Sequence, residues 1–319
     1  MADVAAPWRK TVSNRLNKRS NIHVHALMLL MVALVAGSFP VGEIITDSLP
    51  PDVMMFIRFL TAATLFAPVV FIKNGISLPP TKSLLGYALL SLPLVIFFWC
   101  MFESLRYTSA FNTGALYTFV PAITALFALW INKERTGRMR ALGLLTGTIG
   151  AIWIVFRGDI AAALQMNLNY GDMVFLVGCL FMGLYNPLVK RIYAGEPIKL
   201  MTFWVILFGS GWLFLLSASK LSSIDWLSVE LSVYGGILYL SLFTTLVSFF
   251  LIQFGTVKIG PTKVAAYSFL TPLFVIGLSI LIGLESFETA TIPGIILVLG
   301  AVLLIQYDTQ HAKTKKGAN

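Results

Sequence analysis

Ten stretches of mostly apolar residues follow one another along the chain, at roughly 25–45, 53–73, 84–106, 112–131, 138–156, 171–191, 198–218, 233–257, 262–282 and 291–307. No other feature constrains the fold as much. A helix of about 20 apolar residues matches the hydrocarbon thickness of a bilayer, and the connections between the runs are too short to hold a soluble domain. The composition agrees: of 319 residues, 57% are hydrophobic and 12% charged, where a soluble domain is about a quarter charged. In lipid every backbone N–H and C=O must be bonded within the protein. The runs lack the strict alternation of barrel strands. The expected class is therefore an all-α membrane protein with ten transmembrane helices.

Charge placement sets the expected orientation. With a cytoplasmic N-terminus and ten crossings, nineteen of the 23 Lys and Arg fall inside, only Arg106, Arg157 and Lys220 fall outside, and Arg58 lies within a span. That asymmetry is the positive-inside pattern of an inner-membrane protein with both termini cytoplasmic. The net charge of +9 therefore does not indicate nucleic acid, for no stripe of basic and aromatic residues lies outside the spans. The first apolar run continues too far past Gly37 for a cleaved leader, and its removal would break the charge pattern. Cys100 and Cys179 fall inside spans, without metal-ligand spacing. His23 and His25, at the mouth of the first span, and His311 in the tail read as solvated or headgroup-level side chains. No metal or other cofactor is expected.

The chain is written twice. Ala115 and Ala266, Pro121 and Pro272, Ile131 and Ile282, Glu134 and Glu285, and Gly143 and Gly294 all lie 151 residues apart, with no gap needed. "GSFPVGEII" (37–45) sits more loosely opposite "GLYNPLVKR" (183–191), aligning Gly37 with Gly183. The repeat unit is five helices, and five is odd, so the second copy enters the membrane from the opposite side. The expected organisation is a cytoplasmic tail at 1–22, a first repeat at 23–157, an inverted repeat at 168–307 and a cytoplasmic tail at 308–319. Inverted repeats are characteristic of secondary transporters, because exchanging the conformations of two such halves exchanges the side that opens.

These motifs resemble those of the EamA-like group of the drug/metabolite transporter superfamily. The resemblance covers nearly the whole chain: "GSFPVGEII", "PPDVMMFIRF" with Arg58, "ALYTFVPAITALFALWINKE" into "GLLTGTIGAIWIV", and "AAYSFLTPLFVIGLSILIGLE" into "GIILVLGAVLLI". Two departures are Ala36 before Gly37 and Ser38, where Trp is frequent, and Trp204 opposite Arg58. The resemblance implies a ten-helix basket around a central cavity walled by helices 1, 3, 4, 6, 8 and 9, with helices 5 and 10 peripheral. It also implies outward transport of amino acids and other small metabolites.

Polar and aromatic residues on those six helices are the candidate cavity lining: Ser38, Phe39, Trp99, Tyr117, Tyr185, Asn186, Thr245, Ser248 and Tyr267. Each could instead serve helix–helix bonding or bond its own backbone. Pro121 and Pro272 remove a backbone donor near the middle of helices 4 and 9 and should kink them there, as static bends or as hinges. A buried Arg needs a partner, so Arg58 is expected to form an outer charge cluster with Glu43 or Glu103. Glu134 and Glu285, just before helices 5 and 10, are expected to stabilise those helix N-termini through the dipole.

The expected activity is secondary transport, as an exporter of small neutral or zwitterionic metabolites such as amino acids, by alternating access. A coupling proton or a counter-substrate would supply the driving force. A channel or uniporter shares the inverted repeat and is the alternative. An intramembrane enzyme is the more distant one, since the chain has no H-E-x-x-H, G-x-S-x-G, P-loop or Asp pair.

Overall fold

The computed structural model describes residues 23–74, 78–134, 137–161, 168–281 and 288–316. The N-terminal tail and Glu285 lie outside the described residues. Helices α1 to α10 span His23–Ile45, Pro51–Asn74, Thr81–Ser104, Ala110–Asn132, Arg138–Val155, Tyr170–Ile192, Ile198–Leu221, Leu231–Ile259, Pro261–Leu281 and Thr289–Lys316. Among the described residues nine helices are long and apolar enough to cross a bilayer. The remaining one, α4, is split, and its longer apolar piece is Val120–Asn132. The last helix differs from expectation: it continues through 308–316, which the sequence reads as tail.

The helices nearest the centre are irregular, and proline or glycine explains most of the breaks. Helix α1 breaks at Gly37, where the Tyr239 hydroxyl occupies the space a Cβ would need. Helix α4 breaks at Thr118 and Phe119, one turn before Pro121, whose missing N–H would otherwise bond back across the gap. Helix α9 narrows to a 3-10 helix over Ala266–Leu270 and resumes at Thr271, next to Pro272. Val120 and Thr271, the residues at which the two helices restart, hold equivalent positions in the repeat. Helix α8 widens to a π-helix over Leu240–Val247. Pro68, Pro93 and Pro187, by contrast, sit inside continuous helices.

The halves are interleaved. Helix α2 packs on α7 and α5 packs on α10, each on its counterpart, while α6 lies between α3 and α4. The α5–α10 crossing is made by small residues. A Cβ on Gly150 would meet Leu297 at 2.6 Å and the Gly294 carbonyl at 2.9 Å, and one on Gly294 would meet the Gly150 carbonyl at 2.7 Å. Such close approach is the usual device of helix association in lipid. Large apolar side chains such as Ile72, Trp130, Leu215 and Leu303 point outward, as lipid-facing residues do.

The ends are pinned by polar contacts. Helix α6 starts with a capping box: the Asn169 side chain accepts from the Asp172 N–H, and Asp172 accepts from the Asn169 N–H, both at 3.0 Å. Thr108, from the first half, donates to Asp172 at 2.7 Å. At the same end Lys220 pairs with Asp52 at 2.8 Å and Arg157 with Glu288 at 2.5 Å. At the opposite end Glu134 pairs with Lys190, Asn132 donates to the Pro187 carbonyl at 3.2 Å, and Tyr87 donates to Glu196 at 2.9 Å. Contacts between the halves thus close the bundle at both faces.

Candidate functional site

Two small lobes meet at the centre of the bundle. The lobe toward the Asn132 end, here the inner lobe, has a volume of about 20 Å³ and is lined by α1, α4, α6, α8 and α9, with Tyr117, Asn186, Ser268 and Thr271 as its polar groups. The other, the outer lobe, has about 10 Å³ and is lined by α1, α3, α4, α6 and α8, including Ser38, Phe39, Phe98 and Thr244. Val35, Tyr117, Met182 and Ile252 belong to both. Each lobe has room for about one water, against roughly 300 Å³ or more for a typical ligand pocket. The centre is therefore closed down in this conformation.

The inner lobe carries unmet hydrogen-bonding capacity. Among the described residues, Asn186 Oδ1 and Thr271 Oγ1 are buried without a partner. A buried polar atom left without a partner costs about 1–3 kcal/mol, so these two atoms are poised for a ligand or water. Two lining positions follow the repeat: Tyr117 and Val120 of α4 correspond to Ser268 and Thr271 of α9.

Four of the expected lining residues, Ser38, Phe39, Tyr117 and Asn186, face the lobes; the other five do not. Trp99 is half-buried on α3 and touches neither lobe. Tyr185 is fully buried behind Phe249, and its hydroxyl accepts from Gln253 at 2.9 Å. Gln253 in turn accepts from Thr202 at 2.6 Å, which ties α6, α7 and α8 together. Ser248 donates to the Thr244 carbonyl at 2.6 Å, and Thr245 accepts from Arg58 at 2.6 Å. Tyr267 lies 2.5 Å from His25 Nδ1, bridging α9 and α1. His25 is thus half-buried in a contact between the halves, not simply solvated. Thr244, Thr271 and Met182 do line the lobes although they are absent from the primary expectation. Thr244 belongs to a visible polar stripe, whereas Met182 carries no polar signal.

The expected charge cluster is not formed. Glu43 is exposed, and Glu103 faces Arg106 at 3.6 Å. Arg58 instead reaches α8, a packing that span-by-span reading does not reveal. The expected helix-dipole role of Glu134 is also replaced. Helix α5 begins after Gly137 with no side-chain cap, and Glu134 turns to Lys190 on α6. Lys133 ends α4 in the left-handed conformation (φ 56°). Beside that ion pair a wider cleft of about 280 Å³ opens, lined by Arg140, Thr262 and Lys263 among others.

Comparison with known proteins agrees with this architecture. The protein-family model described as "EamA-like transporter family" matches the chain twice, at residues 24–156 and 169–307. The uncharacterized transporter YyaM of Bacillus subtilis is 24% identical over 90% of this chain and 92% of its own. An uncharacterized transporter of Archaeoglobus fulgidus is 27% identical over 89% of this chain and 97% of its own. The uncharacterized inner membrane transporter YedA of Escherichia coli K12 is 22% identical over 87% and 89%. One solved crystal structure superposes with a TM-score of 0.71 at 14% identity, covering 89% of this chain and 96% of that one, a likeness of fold. With two matches that together span nearly all of its apolar sequence, the chain belongs to the EamA-like transporter family and is a multi-pass membrane transporter.

Proposed function

We propose that the chain is a secondary carrier of the inner membrane that exports small neutral or zwitterionic metabolites, such as amino acids, by alternating access between two inverted repeats. The observation that carries this reading is the pair of buried, unpartnered atoms, Asn186 Oδ1 and Thr271 Oγ1, facing a closed central lobe. A carrier binds its substrate at the midplane between its halves, and polar groups waiting for a partner there are what such a site requires. The coincident breaks of α4 and α9 support the rocking step, since each helix can change angle beside the lobe without disturbing a full backbone ladder. The double family match and the pairing of α2 with α7 and of α5 with α10 support the duplication. The charge asymmetry supports cytoplasmic termini. A gradient or exchange, through a proton or a counter-substrate, drives the cycle.

Counterflow in proteoliposomes tests this reading. Vesicles are loaded with unlabelled amino acids, labelled tracers are added outside, and uptake is followed with and without a pH gradient. The expected result is transient, saturable tracer accumulation without a gradient. Flux that neither saturates nor supports counterflow would assign a channel instead.

A further inference from the structure

Arg58 is fully buried, and the groups around its guanidinium are neutral. Nε donates to Thr245 Oγ1 at 2.6 Å, and Nη2 donates to Thr244 Oγ1 at 2.7 Å and to the Thr244 carbonyl at 3.4 Å. Among the described residues Nη1 has only the Met55 thioether at 3.8 Å for its two N–H groups, and a thioether is a weak acceptor. The Phe98 ring lies 4.1 Å from Cζ and the Phe102 ring 5.8 Å away. Among the described residues no carboxylate pairs with Arg58. Glu103 and Asp47 face Arg106, Asp52 faces Lys220, and Glu43 is exposed. A buried charge without a counter-ion is among the most costly arrangements in a protein, and hydroxyls with an aromatic face offset only part of that cost.

The position of this charge gives it a use. Thr244, which accepts from Nη2, and Phe98, whose ring faces the guanidinium, both line the outer lobe, whereas Thr245 does not. The cation therefore stands one side chain behind the cavity wall, with spare donors, in surroundings of low dielectric where its attraction for an anion is strong. Arg58 meets α8 within its π-helical stretch, where the Thr244 carbonyl accepts from both the Ser248 hydroxyl and Arg58 Nη2.

We infer that the outer lobe takes the carboxylate of the transported molecule and that Arg58 is the residue that selects for it, so that carboxylate-bearing metabolites, and not neutral ones, are the substrates. This rests on the carrier reading above and narrows it. The Ser38 and Thr244 hydroxyls already donate to the Val35 and Leu240 carbonyls, which leaves the guanidinium as the donor for one carboxylate.

The test is counterflow by the full-length protein in proteoliposomes with a matched panel: the common amino acids, short aliphatic monocarboxylates, and the carboxamide of each. The expected result is that acids exchange at least about tenfold better than their amides, the size of one charge-assisted hydrogen bond. In Arg58→Gln that preference should fall to near parity, and in Arg58→Lys it should persist. Amides exchanging as well as acids in the unaltered protein would overturn the inference and leave the carrier reading standing. A folded Arg58→Gln that keeps the preference would also overturn it. If Arg58→Gln does not fold, the acid–amide ratio of the unaltered protein and of Arg58→Lys decides. Absence of saturable exchange by every compound in the panel, from folded protein, would overturn the carrier reading and this inference together.

Discussion

The α5–α10 pair and the α4–α9 pair come from the same repeat yet are built in opposite ways. Helices α5 and α10 cross on glycines, backbone against backbone, and line neither lobe. Helices α4 and α9 are each interrupted beside a proline and present their interruptions to the central lobe. A small-residue crossing has one tight arrangement and resists sliding. A helix missing part of its hydrogen-bond ladder has more than one accessible angle. The contrast predicts that the duplication supplies both a fixed spine and a deformable centre, assigned to different helices of one unit.

The strongest test of that contrast is at the spine. Gly150→Leu must displace a backbone oxygen as well as Leu297, and overpacking of this kind costs about 1–3 kcal/mol or more. The expected outcome is loss of monodisperse protein or a markedly lower melting temperature in detergent; a melting curve like that of the unaltered protein would break the comparison. At the centre the opposite is expected. Asn186→Ala with Thr271→Val removes polar atoms that have no protein partner, so stability should hold or rise while counterflow falls about tenfold, the worth of one or two ligand hydrogen bonds. A smaller effect is expected from Pro121→Ala and Pro272→Ala. Each restores an N–H, and the pair should lower the maximal transport rate a few-fold with little change in KM; an unchanged rate would make the breaks static. The smallest belongs to the rim. Glu134→Gln removes the carboxylate charge that pairs with Lys190. A partly exposed pair is worth about 0–1 kcal/mol, so only a slight fall in melting temperature is expected, with recovery in the charge-swapped double variant Glu134→Lys, Lys190→Glu.

The sequence made the spans legible because lipid imposes a length and a polarity on every crossing segment. It made the breaks of α4 and α9 legible because Pro121 and Pro272 each remove a backbone donor, a local effect. Which residue of the α8 polar stripe faces the cavity was not legible, for an equally local reason. Helical spacing places Thr245 and Ser248 on a common face, but the π-helical stretch Leu240–Val247 disturbs that spacing. A slip of one residue turns the face by about 100°. Thr244 consequently meets the lobe, Thr245 meets Arg58, and Ser248 bonds the backbone. Nothing in "LSLFTTLV" announces the wider turn. The partner of Arg58 was hidden by the same event, because a rule that pairs charge with charge cannot anticipate two threonines on another helix. Glu134 was misread because a residue next to a helix start need not point at it.

The lobes are walled in part by Met31, Met101 and Met182, from α1, α3 and α6. Methionine is unbranched, with a polarisable sulfur and several rotatable bonds, so it fills a closed gap and yields when something enters. A wall of this kind does not template one shape. It discriminates poorly between side chains of differing bulk, and it leaves recognition to whatever polar end group all the cargoes share. On the carrier reading proposed above, such a wall predicts broad, shallow selectivity: a homologous series of compounds should exchange with one another at similar rates, each remoulding the same soft lining in its own way.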